Sequence, residues 1–196
     1  MSEITDPTTE PQREVQHRRI AAGEARAAVF RRSYDAPIDD IWEACTDPDR
    51  LKRWFLPVTG DLRLGGTFDL GGFLRCEVLR CDPPTLVAFS QAYEDLPVDE
   101  IELRLSPGDN GTTVVELVHA TVSEEFEWDG RLVDALSLMG TGWEPGLVAL
   151  ELYLGGAMPD DFDMDAFRAQ PEIAAIADRA HKVWGALAAA DGGDDA

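Results

Sequence analysis

Residues 100–121 read EIELRLSPGDNGTTVVELVHAT, and the fold turns on how this stretch is read. Its first half alternates strictly: Ile101, Leu103 and Leu105 share one side, Glu100, Glu102 and Arg104 the other. A period of two is the mark of a strand with one buried and one wet face. Pro107-Gly108-Asp109-Asn110-Gly111 supplies residues suited to a tight reversal, and Thr112 to Thr121 returns as a second strand. Two such strands cannot bury their apolar side alone, so further strands and a covering layer are required.

Upstream, the same period recurs. Thr67–Leu70 lies between the turn signals Gly65-Gly66 and Gly71-Gly72, Phe73–Cys81 is a longer strand, Asp82-Pro83-Pro84 turns the chain, and Thr85–Tyr93 follows. Before them, Ala25–Tyr34 reads as a strand. Pro37 then opens a helix with Asp39 and Asp40 in its first turn and an apolar face of Ile41, Trp42, Ala44 and Cys45. Asp47-Pro48 ends it and caps a second short helix, Asp49 to Phe55. Downstream, Ser123 to Gly130 reads as a solvated acidic loop with Glu124, Glu125, Glu127 and Asp129. A long helix follows over Leu136–Leu154, with Met139, Trp143, Leu147, Leu150 and Leu154 on one stripe. Pro145 either kinks it or makes its regular part begin near Trp143. A last helix spans Pro171–Ala190, and Asp191 to Ala196 is expected to be a disordered tail. One strand, two short helices, about six strands and a long helix describe an α+β domain built on an antiparallel sheet, against which the long helix buries its stripe. Three regions follow: a polar arm over 1–24, partly helical from Glu14 to Ala22; a domain over 25–156; and, over 157–196, an acidic linker, a helical extension and the tail.

The chain has 196 residues, with 17 basic and 38 acidic side chains and a formal charge of −21, which argues against phosphate backbones and anionic membranes as partners. Met1 to Arg19 is polar and holds Pro7 and Pro11, unlike a secretory leader, and no run approaches membrane-spanning length. Cys45, Cys76 and Cys81 form no CxxC pair and have no histidine cluster beside them, so they read as structural thiols of a reduced, cytoplasmic protein without zinc. On one regular strand, Cys76 and Cys81 would point to opposite faces.

An ordered set of segments carries a family resemblance. Pro37-Ile-Asp-Asp-Ile-Trp-Glu-Ala-Cys-Thr-Asp-Pro48, Arg53-Trp54-Phe55 and Gly60-Asp-Leu-Arg-Leu-Gly-Gly66 open it. Cys81-Asp-Pro-Pro84, the Gly111-Thr112 hairpin running to Glu116-Leu-Val-His119, and Gly142-Trp143 with Leu147 and Leu150 continue it. Over about residues 26–156 the chain resembles the SRPBCC superfamily of START-like, birch-pollen-allergen-like helix-grip domains. Within it, the chain is most similar to the branch named after the activator of heat-shock-protein-90 ATPase. Val183-Trp184-Gly185 resembles a C-terminal extension of some bacterial members. The resemblance implies a curved, seven-stranded antiparallel sheet gripping a long C-terminal helix, with a cavity between them that often holds a lipid, sterol or polyketide. It also implies a Trp where this chain has Gln91, and hence a more polar or smaller pocket.

Candidate chemistry is sparse. Trp54, Phe68, Phe73, Phe89, Tyr93, Met139 and Trp143 either fill the core or wall a cavity, together with Leu103, Leu117 and Leu147; Gln91 is the polar candidate. His119 shares a face with Val115 and Leu117. It is either a satisfied structural residue or a group that bonds a ligand or moves a proton, and it is the one candidate for catalysis. No serine or cysteine nucleophile has a supporting arrangement. Asp161, Asp163, Asp165 and Glu172 fall at calcium-loop spacing, but Ala166 stands where the sharp turn needs glycine, so they read as an acidic, helix-capping linker. No metal or cofactor is expected. Three functions follow: binding of a hydrophobic small molecule by a monomer or homodimer, polyketide cyclase- or aromatase-type catalysis through His119, and chaperone-ATPase activation.

Overall fold

The computed structural model describes residues 10–128 and 130–192. Eight strands form one antiparallel sheet: β1 (Gln12–Ile20), β2 (Gly23–Tyr34), β3 (Val58–Gly60), β4 (Thr67–Leu70), β5 (Leu74–Asp82), β6 (Leu86–Ala92), β7 (Asp99–Pro107) and β8 (Thr113–Thr121). Their spatial order is β1-β2-β8-β7-β6-β5-β4-β3. Helices α1 (Ile38–Thr46) and α2 (Pro48–Leu51) connect β2 to β3. A separate hairpin, β9 (Glu125–Trp128) and β10 (Arg131–Asp134), leads into α3 (Ala135–Leu154); α4 (Met164–Arg168) and α5 (Pro171–Asp191) follow. Sheet and long helix bury a shared core, which is the helix-grip arrangement. Among the described residues, no helix is long and apolar enough to cross a membrane.

The extra strand is β1, where a polar arm with a helix at Glu14–Ala22 was expected. Its residues suit an edge strand because both of its faces find partners only in the tertiary structure. Toward the helices, Arg13 Nε and Nη2 donate to Glu144 of α3 at 2.6 and 2.8 Å, Val15 packs into the core, and His17 Nε2 lies 2.9 Å from Asp191 of α5. On the opposite face, Glu14 accepts from Arg31 at 2.6 Å, and Arg18 pairs with Glu102 of β7. That last pair passes over β2 and β8, where Ala25, Ala27, Val118 and Ala120 are small and buried.

Three further differences concern local geometry. The acidic stretch after Ser123 is a hairpin with Phe126 opposite Val133, although Asp129 lies outside the described residues. α3 runs unbroken through Pro145, opened by Asp134, whose carboxylate accepts from the amides of Leu136 (2.9 Å) and Ser137 (3.2 Å). In β5, the register shifts between Val78 and Arg80: Val78 faces Phe89 and Arg80 faces Ala88, leaving Leu79 as the extra residue. The bulge reverses the alternation, so Cys76, Val78 and Cys81 all meet the core instead of the two cysteines facing apart. Within the expected acidic linker, Asp163 caps α4 by accepting from the Ala166 amide at 2.8 Å. Of the expected tail, Asp191 closes α5, and 193–196 lie outside the described residues.

α5 lies along α3, so α3 is buried on two sides. Its Glu144 is 2% exposed, held by Arg13 and by Trp184 Nε1 donating at 2.9 Å. Trp184, itself fully buried, packs on Phe30 at 4.7 Å between ring centroids. Only glycine fits at 140, because a Cβ there would sit 2.0 Å from the Trp184 ring.

Candidate functional site

Between the inner face of the sheet and α3 lies a cavity of about 120 Å³. Its walls follow from side-chain periodicity. Strands β6 to β8 present every second residue, namely Val87 and Phe89, Ile101 and Leu103, Val115 and Leu117. α3 presents Trp143, Gly146, Leu147 and Leu150, one face of the helix. Cys45, Thr46, Leu51, Trp54, Phe55, Val58 and Leu62 close it from the α1–β4 side, with Phe68 and Leu70 of β4 and Val78 and Cys81 of β5.

The polar atoms on this wall are occupied. Trp54 Nε1 donates to the Ala44 carbonyl at 2.9 Å, and the Thr46 hydroxyl donates to the Trp42 carbonyl at 2.7 Å. Trp143 Nε1 donates to His119 Nδ1 at 2.9 Å. Burial pushes the Cys45 thiol up to about 12, so it is a neutral wall atom and not a nucleophile. Cys76, behind the wall, is raised to about 12 for the same reason.

His119 has its tautomer dictated by its neighbours. An indole N–H only donates, so Nδ1 must be the bare nitrogen, and Nε2 carries the proton toward Asp99 Oδ2 at 2.9 Å. The ring is a neutral link between a buried carboxylate and the Trp143 indole. Neither nitrogen is open to a reacting group in this arrangement. Its action on the cavity goes through Trp143, whose ring stacks on Phe55 at 5.6 Å and 11°. Phe55 lies in turn against Gly146, where an added Cβ would stand 3.2 Å from its ring.

Of the residues singled out from sequence, Trp54, Phe68, Phe89, Leu103, Leu117, Trp143 and Leu147 meet at the cavity. Met139 lies one turn before Trp143, in the cluster holding Phe30 and Trp184. Gln91 sits opposite Cys76 and is half-buried. Phe73 and Tyr93 are 55% and 42% exposed and meet each other edge to face at 6.4 Å, away from the wall. Sequence reasoning passed over Asp99, Ile101, Val115 and Gly146. Ile101 and Val115 share the parity of Leu103 and Leu117, and Gly146 follows Trp143 by three; those were the available signals. Asp99 also has inward parity, and an acid at an inward position was its signal.

Solved structures place this geometry. The crystal structure of CalU16 from Micromonospora echinospora superposes with a TM-score of 0.75, at 38% identity over 92% of this chain and 99% of that one. The solution NMR structure of CalU16 gives 0.77 at 37% identity, over 97% and 99%. PFC0360w, an HSP90 activator from Plasmodium falciparum, shares the fold at 19% identity, with a TM-score of 0.58 over 68% of this chain and 97% of that one. No curated protein matches the chain. The profile of the Activator of Hsp90 ATPase homolog 1-like family matches residues 35–155, from the end of β2 through α3, and the chain belongs to that family.

Proposed function

We propose that the protein binds a hydrophobic small molecule in the cavity between the sheet and α3. The observation that carries this reading is a wall whose hydrogen-bonding atoms are taken up elsewhere, enclosing space that close packing would otherwise fill. A dry void of roughly 150 Å³ is enough to take a benzene ring. A cavity of about 120 Å³ therefore suits one ring or a short branched chain, and a larger lipid or polyketide requires its wall to move. The excess of acid over base opposes nucleic acid, and the three free cysteines fit a reducing cytoplasm. The family's name does not by itself assign a chaperone role, because function resides in sites and not in folds.

Native mass spectrometry of gently purified protein is the direct test, with a co-purified mass as the expected result. A filled-cavity variant, Val115→Phe, serves as the control. It should lose at least tenfold in affinity for toluene or indole while costing no more than about 1–3 kcal/mol of stability. Binding equal to wild type in a folded Val115→Phe protein removes this cavity as the site.

A further inference from the structure

We propose that Asp99 anchors a hydrogen-bond donor on the bound molecule, so that the cavity selects an apolar compound bearing a hydroxyl or amine over its hydrocarbon or carboxylate analogue. This rests on the cavity being the ligand site. The Asp99 side chain is 10% exposed, and its two oxygens differ. Oδ2 accepts from His119 Nε2 at 2.9 Å, whereas Oδ1 is buried with no partner among the described residues. A buried carboxylate oxygen left without a donor loses its hydration with no return, which is why such atoms are rare.

Asp99 stands next to the cavity lining and not in it, so a ligand that meets this oxygen must reach past Ile101 and Trp143. Asp99 is two residues from Ile101 on the inner face of β7, and Ile101 is a wall residue. Its partner His119 is bonded to Trp143, another wall residue. Gln91, opposite Asp99 on β6, brings an amide to the same face. His119 cannot turn to serve Oδ1, because its two nitrogens are already engaged.

The chemistry then selects the ligand. A carboxylate is an acceptor only, so a group that meets Oδ1 must donate. A neutral or cationic donor gains a charge-assisted bond. An anion placed there faces Asp99 directly and the −21 charge of the whole chain from further away.

Titration of the full chain with toluene, phenol, benzylamine and benzoate, followed by ligand-observed NMR, tests the anchor. In wild type, phenol and benzylamine should bind above benzoate. In Asp99→Asn, the affinity ratio of phenol to toluene should fall about tenfold and benzoate should gain. An unchanged phenol-to-toluene ratio in a folded Asp99→Asn protein overturns the anchor and leaves the cavity reading intact. Failure of all four probes to bind overturns both. If Asp99→Asn does not fold, the wild-type ranking decides: toluene or benzoate level with or above phenol overturns the proposal, and phenol above both supports it.

Discussion

The two faces of β7 meet opposite conditions within a single strand. Outward, Glu102 is 2% exposed and receives Arg18, Arg80 at 2.8 Å and Arg104 at 2.7 Å. The chain of pairs continues from Arg104 to Glu116 at 3.4 Å, to Arg31 at 2.5 Å and to Glu14 at 2.6 Å, reaching β1. Inward, Ile101, Leu103 and Leu105 are apolar, and the one acid, Asp99, is satisfied at one oxygen. The outer acid is closed off by excess partners, whereas the inner one keeps an oxygen with no partner among the described residues.

Breaking either face tests that contrast. The largest effect is expected inside. Ile101→Ala removes a fully buried side chain beside existing empty space and should cost about 3 kcal/mol in denaturant titration. Outside, Glu102→Gln keeps the shape and removes the charge. It should cost about 1–2 kcal/mol near neutral pH, since two of the three arginines are half-exposed and screened. The pH profile sharpens this second prediction. Burial pushes the Glu102 carboxyl up, but the hydrogen bonds and charges of Arg104 and Arg18 outweigh it, and the net displacement is below the ordinary 4.5. A depressed carboxyl contributes stability above its unfolded value and loses it as the pH falls through the folded one. The gap between wild type and Glu102→Gln should therefore narrow below about pH 4.5 in acid-unfolding curves. The smallest effect belongs to neither face. Phe73→Ala, at an exposed ring outside the cavity, should shift stability by no more than about 0.5 kcal/mol and leave toluene binding unchanged.

What could be read from sequence followed periodicity. β7 and β8 were legible because each inward residue from 101 to 105 and from 115 to 117 is apolar and each outward one is charged or exchangeable, and the stripe of α3 was legible at 143, 147 and 150. β1 was not. Its inward Arg13 and His17 look like solvated residues until α3 and α5 supply Glu144 and Asp191, and no local pattern announces a partner more than a hundred residues away. Nor was the bulge at Leu79, which reverses the facing of Cys81; a single extra residue leaves no mark on composition. Of the six aromatics singled out, Trp54, Phe68, Phe89 and Trp143 line the cavity, whereas Phe73 and Tyr93 lie just outside the ends of β5 and β6 and meet each other. Asp99 escaped notice because acids are ordinarily outside, and its partner, His119, comes from β8, itself held by Trp143 of α3.

The clasp on Glu144 bears on what counts as an autonomous folding unit. Arg13 and Trp184 both lie beyond the segment 35–155 that the family profile recognises, one on each side. Expressed alone, that segment would keep Glu144 on α3, strip its guanidinium and indole, and uncover the flank on which α5 rests. The segment that the family profile recognises therefore holds only part of the clasp on Glu144, and the whole clasp spans β1 to α5.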